Sequence, residues 1–136
     1  MNKVFLIIAM LTLFSLSLFG KTEDFSKLNT QIGLDLPSIA KVYHNKNGQI
    51  VSFLGINFFG FGISYKKFFR PLKPNKINPY LNVGTIIITA PYAQVGADYV
   101  KDNGFYFGGN YSIYYFKNKK KWESFFPSFE LGIIFK

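Results

Sequence analysis

The chain contains no cysteine among its 136 residues, which excludes disulfide bonds, thiolate catalysis and cysteine-ligated metal sites. Stability must therefore come from packing and hydrogen bonding. His44 is the only histidine, so a site with several histidine ligands cannot form and at most one imidazole could act as a base. We accordingly expect no metal site, no cofactor and no catalytic centre.

Acidic residues are scarce: 7 Asp and Glu stand against 16 Lys and Arg, which gives a formal net charge of +9. Such a charge suits either nucleic acid or an anionic membrane surface. Much of it lies in two turn-like segments, residues 70–77 and 117–121, rather than on one periodic face. This distribution favours solvated loops, and we expect no nucleic-acid partner.

Hydrophobic residues make up 49% of the chain and aromatic residues 20%, which is too apolar for a disordered protein and indicates a single folded domain. The chain begins with a short positive stretch and an apolar run over residues 4–19. A run of this length is marginal for a bilayer-spanning helix, which needs about 20 residues, but suits a secretory signal peptide. We predict a signal peptide over residues 1–20 and a β-barrel domain over residues 21–136; an uncleaved anchor helix is the alternative.

After residue 21, apolar residues recur with a period of two, which predicts an all-β domain. The clearest strand covers residues 105–116, where Phe107, Tyr111 and Ile113 share one face. Asn103-Gly104 supplies the positive φ angles of a tight hairpin turn, so residues 92–100 form the partner strand. Residues 127–136 repeat the pattern, with Phe129, Leu131, Ile133 and Phe135 on one face.

Five further strands complete the pattern. They cover residues 28–36, 39–44, 49–58, 61–69 and 80–89, and Pro79 is placed at the beginning of the last because proline cannot donate to a central ladder. Eight is the smallest usual number of strands for a transmembrane barrel, and closure removes exposed sheet edges. We therefore predict a small antiparallel up-and-down β-barrel of about eight strands.

Aromatic residues lie near the predicted strand ends, where a transmembrane barrel has its interfacial girdles. The residues concerned are Phe58, Phe68, Phe69, Tyr80, Tyr92, Tyr99, Phe105, Tyr115, Phe116, Phe126 and Phe135. The alternative is that they fill a soluble core. We favour the girdle because Phe and Tyr are numerous for the interior of a small soluble domain.

The tail Pro127-Ser128-Phe129-Glu130-Leu131-Gly132-Ile133-Ile134-Phe135-Lys136 resembles the closing strand of small outer-membrane β-barrel proteins. Residues 92–116 are similar to one of their hairpins. The resemblance implies an eight-stranded barrel with both termini in the periplasm. It also implies that residues 117–126 form a long outer loop and residues 58–61 a short one.

Some small outer-membrane barrels are lipid A acylases or deacylases, in which a histidine and a serine act on a lipid ester. By this resemblance, His44 with Ser52 or Ser64 would take those roles. His44 lies beside the turn at residues 45–48, however, and no acidic residue is close in sequence to orient it. We interpret His44 as a surface histidine.

Two other features of the predicted strands have structural interpretations. Asp98 and Glu130 fall on polar strand faces, where inward charges usually meet a partner, and we expect Lys66 and Asn110 to be those partners. Gly108-Gly109 lies inside a strand and predicts close packing rather than phosphate binding.

The cationic turn Lys119-Lys120-Lys121, followed by Trp122, could hold anionic lipid head groups at a membrane surface, although a solvated loop is the simpler interpretation. The expected function is a structural or surface-interaction role in the cell envelope, as an outer-membrane barrel whose partner is membrane lipid. The first alternative is a soluble periplasmic or secreted β-barrel or sandwich that binds an apolar ligand, with its aromatic residues inward. A lipid A-modifying barrel enzyme is the second.

Overall fold

The computed structural model describes residues 22–34, 36–57, 61–86, 90–116 and 119–136. The predicted signal peptide, residues 1–20, lies outside these residues. The described residues form one closed barrel of eight antiparallel strands. The strands are β1 (Thr30–Gly33), β2 (Ile39–His44), β3 (Ile50–Asn57), β4 (Gly62–Phe68), β5 (Lys76–Thr85), β6 (Pro91–Val100), β7 (Phe105–Phe116) and β8 (Lys121–Phe135).

The topology is up-and-down, as predicted. Each strand pairs with its neighbours in sequence, and β1 closes the barrel on β8 through a register that runs from Thr30↔Phe135 to Gly33↔Gly132. Because the strand number is even, β1 begins and β8 ends at the same end of the barrel. We call this the terminal end, and the opposite end, where β7 turns into β8, the distal end.

The β6–β7 hairpin confirms the sequence prediction most closely, since β7 covers the predicted residues and its register with β6 runs from Tyr92↔Tyr114 to Val100↔Tyr106. The turn closes through a hydrogen bond from the Gly104 N–H to the Lys101 carbonyl at 3.0 Å. Gly104 has a φ of 84°, a left-handed conformation that favours glycine. Asn103 does not have a positive φ, so the expectation of positive φ angles at both residues is wrong for Asn103.

The expected long loop over residues 117–126 is wrong, because β8 already begins at Lys121 and pairs with Phe116 of β7. The sequence pattern placed the beginning of this strand at Pro127, and proline lacks the N–H of a ladder bond. In the structure the β7–β8 register shifts between Asn110 and Ser112, opposite this proline. A β-bulge leaves residues unpaired, so it accommodates the missing donor and lets the strand continue.

Pro79 also lies inside a strand rather than at its beginning, because β5 begins at Lys76 and continues through Pro79↔Ala97. The Pro79 carbonyl accepts a hydrogen bond from the Phe69 N–H at 3.1 Å. This side of Pro79 faces β4, which ends at Phe68. No ladder hydrogen bond to β4 is therefore lost because proline has no N–H. The predicted strand over residues 80–89 ends at Thr85, and residues 87–89 lie outside the described residues.

The interior of the barrel changes in polarity along its axis. At the terminal end it is an apolar cluster made of Leu28, Ala40, Val42, Ile50, Phe53, Phe68, Leu72, Tyr80, Val100, Tyr106 and Ile134. Towards the distal end the buried side chains are polar, among them Asn57, Ser64, Asn82, Gln94 and Ser112. The apolar cluster seals one end, and the polar half must satisfy its own hydrogen bonds.

The segment before β1 covers the terminal end. Its short 3-10 helix, Phe25–Lys27, is capped by the Asp24 carboxylate, which accepts from the Ser26 N–H at 3.1 Å. Hydrogen bonds from the Ser26 side chain and from Lys27 hold the pKa of Asp24 below its ordinary value. Leu28 follows the helix and is completely buried in the apolar cluster. The segment is thus packed onto the barrel as part of its core.

Replacing Leu28 with alanine is expected to lower the free energy of unfolding by about 2 kcal/mol. This is the low end of the range for a buried leucine, because a terminal segment can move to fill part of the cavity. Denaturant unfolding of the folded protein, followed by Trp122 fluorescence, measures the change. Leu34→Ala is the matched control, since Leu34 is half exposed, and equal losses in the two variants would contradict the packing role of Leu28.

Candidate functional site

The outer surface of the barrel is apolar. In β4, Ile63 and Tyr65 face outward while Ser64 and Lys66 are buried. The same alternation holds around the barrel and places exposed apolar or aromatic residues on all eight strands; the set, which we call the outer belt, includes Ile32, Tyr43, Leu54, Ile56, Ile63, Tyr65, Leu81, Val83, Val95, Phe107, Tyr111, Ile113, Phe129 and Phe135. Exposed Lys41 and Lys67 interrupt the belt on β2 and β4, and large exposed apolar patches usually mark an interaction surface.

Aromatic side chains border the outer belt at both ends. At the terminal end Phe69 is exposed and Tyr99 stacks against Phe107, with ring centroids 5.4 Å apart. At the distal end Tyr115 packs against the exposed Trp122 at 5.2 Å.

The girdle prediction is wrong for four other residues, Phe68, Tyr80, Tyr92 and Phe105, which are buried. Neighbours in a strand point to opposite faces, so Phe68 and Phe69 cannot both face outward. Residue 58 and the side chains of residues 116 and 126 lie outside the described residues.

A buried ion cluster lies inside the barrel. The Lys66 Nζ is 2.6 Å from the Asp98 Oδ2 and 2.5 Å from the Glu130 Oε2. The Asn110 Nδ2 donates to the other Glu130 oxygen at 2.9 Å. The expected partners of Asp98 and Glu130, Lys66 and Asn110, are therefore confirmed for this cluster.

Aromatic rings and glycines surround the ion cluster, and the glycines leave room for its side chains. The Lys66 Nζ lies 3.8 Å from the centroid of the Tyr80 ring, a cation–π distance. A Cβ at Gly108 would collide with the Asp98 carboxylate, and one at Gly132 would collide with the Tyr106 hydroxyl. The prediction that Gly108 serves close packing is confirmed.

The ion cluster is fully buried, and its opposite charges are paired. Lys66, Asp98 and Glu130 are each 1–2% exposed, and ions removed from water are tolerated when they pair and form hydrogen bonds. The described residues contain no group of three His, Asp or Glu side chains placed to hold a metal. The arrangement ties β4, β6 and β8 together across the interior.

A second polar network fills the distal half of the interior. The Ser64 hydroxyl donates to the Asn57 Oδ1 at 2.7 Å and also contacts the Tyr92 hydroxyl. The Asn82 Nδ2 donates to the Gln94 Oε1 at 2.7 Å. Because buried polar groups are stable when hydrogen-bonded, this network accounts for the polar side chains in the distal interior.

The proposed histidine and serine pair does not form a hydrogen-bonded unit. The His44 Nε2 lies 3.0 Å from the Phe25 carbonyl at the terminal end, whereas Ser64 belongs to the distal network. Ser52 is buried and stands opposite Tyr43 in the β2–β3 register. His44 is half-buried under the N-terminal segment rather than a fully exposed surface residue.

The Lys119-Lys120-Lys121 turn lies at the distal end, beside Trp122. The Lys119 Nζ is 3.0 Å from the Glu123 carboxylate, so one of the three cations has an acidic neighbour. Lys120 has a left-handed φ of 47°, and both Lys120 and Lys121 are exposed. Two lysines therefore project beyond the border of the outer belt.

Fold and site together define a closed eight-stranded antiparallel barrel with a largely apolar exterior and an interior that is apolar at the terminal end and polar or ion-paired beyond it. No helix in the described part of the chain has the length and apolar character to cross a bilayer. Comparisons with family models, with curated proteins and with solved structures found no match.

Proposed function

We propose that this chain is a small outer-membrane β-barrel with a structural or surface-interaction role in the cell envelope, and that lipid acyl chains surround its outer belt. The observation that carries the proposal is the position of the apolar residues on the outer surface and of the charged cluster inside. Apolar residues point outward on all eight strands, while Lys66, Asp98 and Glu130 are buried. Each Å² of apolar surface in water is unfavourable by about 25 cal/mol, and contact with hydrocarbon removes that penalty.

The longer strands and the closure of the barrel support the same proposal. β5, β6 and β7 have 10, 10 and 12 residues, and a tilted transmembrane strand needs about 9–11; β1 to β4 are shorter, with 4, 6, 8 and 7 residues. Closure pairs the backbone groups of every strand, which a hydrocarbon environment demands. A narrow interior filled by side chains suits a structural or surface role better than solute passage.

The soluble alternative has less support. A barrel that binds an apolar ligand needs an apolar interior, but the described interior carries an ion cluster and a hydrogen-bonded polar network. A soluble barrel would also leave the outer belt in water. The lipid A-modifying alternative draws no support from His44, whose ring contacts a backbone carbonyl.

Anionic lipid head groups are the proposed partners of Lys119, Lys120 and Lys121. The turn projects past Trp122, a residue type that favours the interface between hydrocarbon and head groups. Lys120 and Lys121 supply two exposed charges, and each cation near an anionic surface contributes about 1 kcal/mol of attraction.

Fractionation tests the proposed location. We expect the mature protein to sediment with outer membranes, to remain in the pellet after extraction at high pH, and to enter solution only with detergent. High pH strips peripheral proteins but leaves embedded barrels, so a known peripheral envelope protein is the internal control. Recovery of the folded protein in solution without detergent, after membranes are pelleted, would contradict the proposal.

A further inference from the structure

A basic pocket of about 300 Å³ opens at the terminal end, between the β4–β5 connection and the first residues of β5. Its lining includes Arg70, Lys73, Lys76, Ile77, Asn78 and Pro79. All three cations are exposed. In the part of the chain that the structure describes, none of the three pairs with an Asp or Glu side chain. The pocket thus concentrates three positive charges without an internal counter-ion.

Hydrogen bonds hold the backbone of this pocket in place. The buried Asn78 side chain donates from its Nδ2 to the carbonyls of Lys73, at 3.0 Å, and Lys76, at 2.7 Å. Its Oδ1 accepts from the Lys73 N–H at 2.8 Å. Leu72 is buried in the apolar cluster, and its N–H donates to the Ile50 carbonyl at 2.8 Å. A ligand therefore meets a preorganised loop, and little ordering opposes binding.

One wall of the pocket continues into the outer belt. Ile77 is 71% exposed, and it occupies the same face of β5 as Leu81 and Val83 because residues two apart share a face. On the neighbouring strand end, Phe69 is also exposed. A ligand that fits both parts carries an anionic group and an apolar chain.

We propose that the basic pocket binds the phosphate-bearing head group of an anionic phospholipid, with an acyl chain lying along Ile77 and Leu81. The inference rests on the proposed function, since it requires the outer belt to be in a bilayer. Charge-assisted hydrogen bonds from an arginine and two lysines to phosphate oxygens supply the recognition. The site belongs to the leaflet at the terminal end and is separate from the Lys119–Lys121 turn.

The test uses the full mature chain folded in vesicles of mixed phosphatidylglycerol and phosphatidylcholine, then released in mild detergent for native mass spectrometry of retained lipid. The pocket variant is R70Q/K73Q/K76Q. The control variant, K41Q/K46Q/K136Q, removes the same charge from exposed residues at the same end of the barrel, outside the pocket. We expect the ratio of retained phosphatidylglycerol to phosphatidylcholine to fall at least about tenfold in the pocket variant, which loses all three cations of one site. In the control, whose three cations do not line one pocket, we expect a fall of less than about twofold.

Equal losses in the two variants would overturn the inference, since they would indicate general attraction to positive charge. Displacement of retained lipid by millimolar inorganic phosphate would also overturn it, because the pocket would then recognise phosphate without the acyl chain. Resistance to high-pH extraction is measured on the same vesicles. A barrel that stays embedded without lipid selectivity contradicts this inference alone, whereas an extractable barrel contradicts the proposed function.

Discussion

Replacing Lys66 with methionine is expected to lower the free energy of unfolding by about 3–5 kcal/mol. Methionine fills most of the volume of the lysine stem but leaves Asp98 and Glu130 buried without the cation that now lies 2.6 and 2.5 Å from them. Two carboxylates in a desolvated interior must then repel one another or take up protons, and both outcomes disfavour the native barrel. Denaturant unfolding from detergent micelles, with heat-modifiable electrophoretic mobility as a second probe, measures the loss.

The matched control is the neighbouring residue. Lys67→Met makes the same chemical change on the exposed face of β4, where removing a charge from the outer surface should not lower the free energy of unfolding. The set K66M/D98N/E130Q removes all three charges together and should recover part of the loss, because an uncharged interior has no unpaired ion. Equal effects of Lys66→Met and Lys67→Met would show that the ion cluster contributes nothing to stability.

Placing arginine at Val95 is expected to destabilise the barrel by about 2–4 kcal/mol when it is folded in a phospholipid bilayer. Val95 faces outward near the middle of β6 and is half exposed. In hydrocarbon an arginine there must stay desolvated or distort the bilayer, whereas in water the same change on an exposed strand face is nearly neutral. Equilibrium unfolding from vesicles, compared with the unsubstituted chain, gives the difference.

The position of the arginine along the barrel axis distinguishes the cost of a charge in hydrocarbon from the ordinary loss of a strand-forming residue. Ile77→Arg makes a similar change at the terminal border of the outer belt, where Ile77 lines the basic pocket, and we expect about 0–1 kcal/mol. A surrounding bilayer requires Val95→Arg to be clearly worse than Ile77→Arg. If both variants are as stable as the original chain, the outer belt does not contact hydrocarbon.

The side chains that share one face of a strand could be predicted from the alternation of residues along it. Asp98 and Glu130 fall on polar faces, and their partners Lys66 and Asn110 followed from the need to satisfy charge wherever such a face is buried. The same alternation also predicts that Tyr80 and Tyr92 are buried. Tyr80 and Tyr92 stand two residues before Asn82 and Gln94, and all four are buried.

The errors came from rules that apply to average strands. Pro79 and Pro127 were assigned to strand beginnings, yet one faces the end of a shorter neighbour and the other lies opposite a bulge. Whether a proline lacks a partner depends on the length and register of the adjacent strand, which its own segment does not encode. The basic pocket could not be predicted for a related reason. The sequence of residues 70–77 indicates only a charged loop, and it is the hydrogen bonds of Asn78 that fix this loop in the structure.

The alternation of apolar and polar residues by itself determined that the chain forms antiparallel strands with two unlike faces, because the pleat sends neighbouring side chains to opposite sides whatever the strand packs against. The turn at Asn103-Gly104 determined one hairpin in the same local way. Only the tertiary structure decided which face became the interior. That choice depends on the curvature set when β1 pairs with β8, between residues at opposite ends of the domain such as Thr30 and Phe135, and closure brings Lys66, Asp98 and Glu130 to one point inside the barrel.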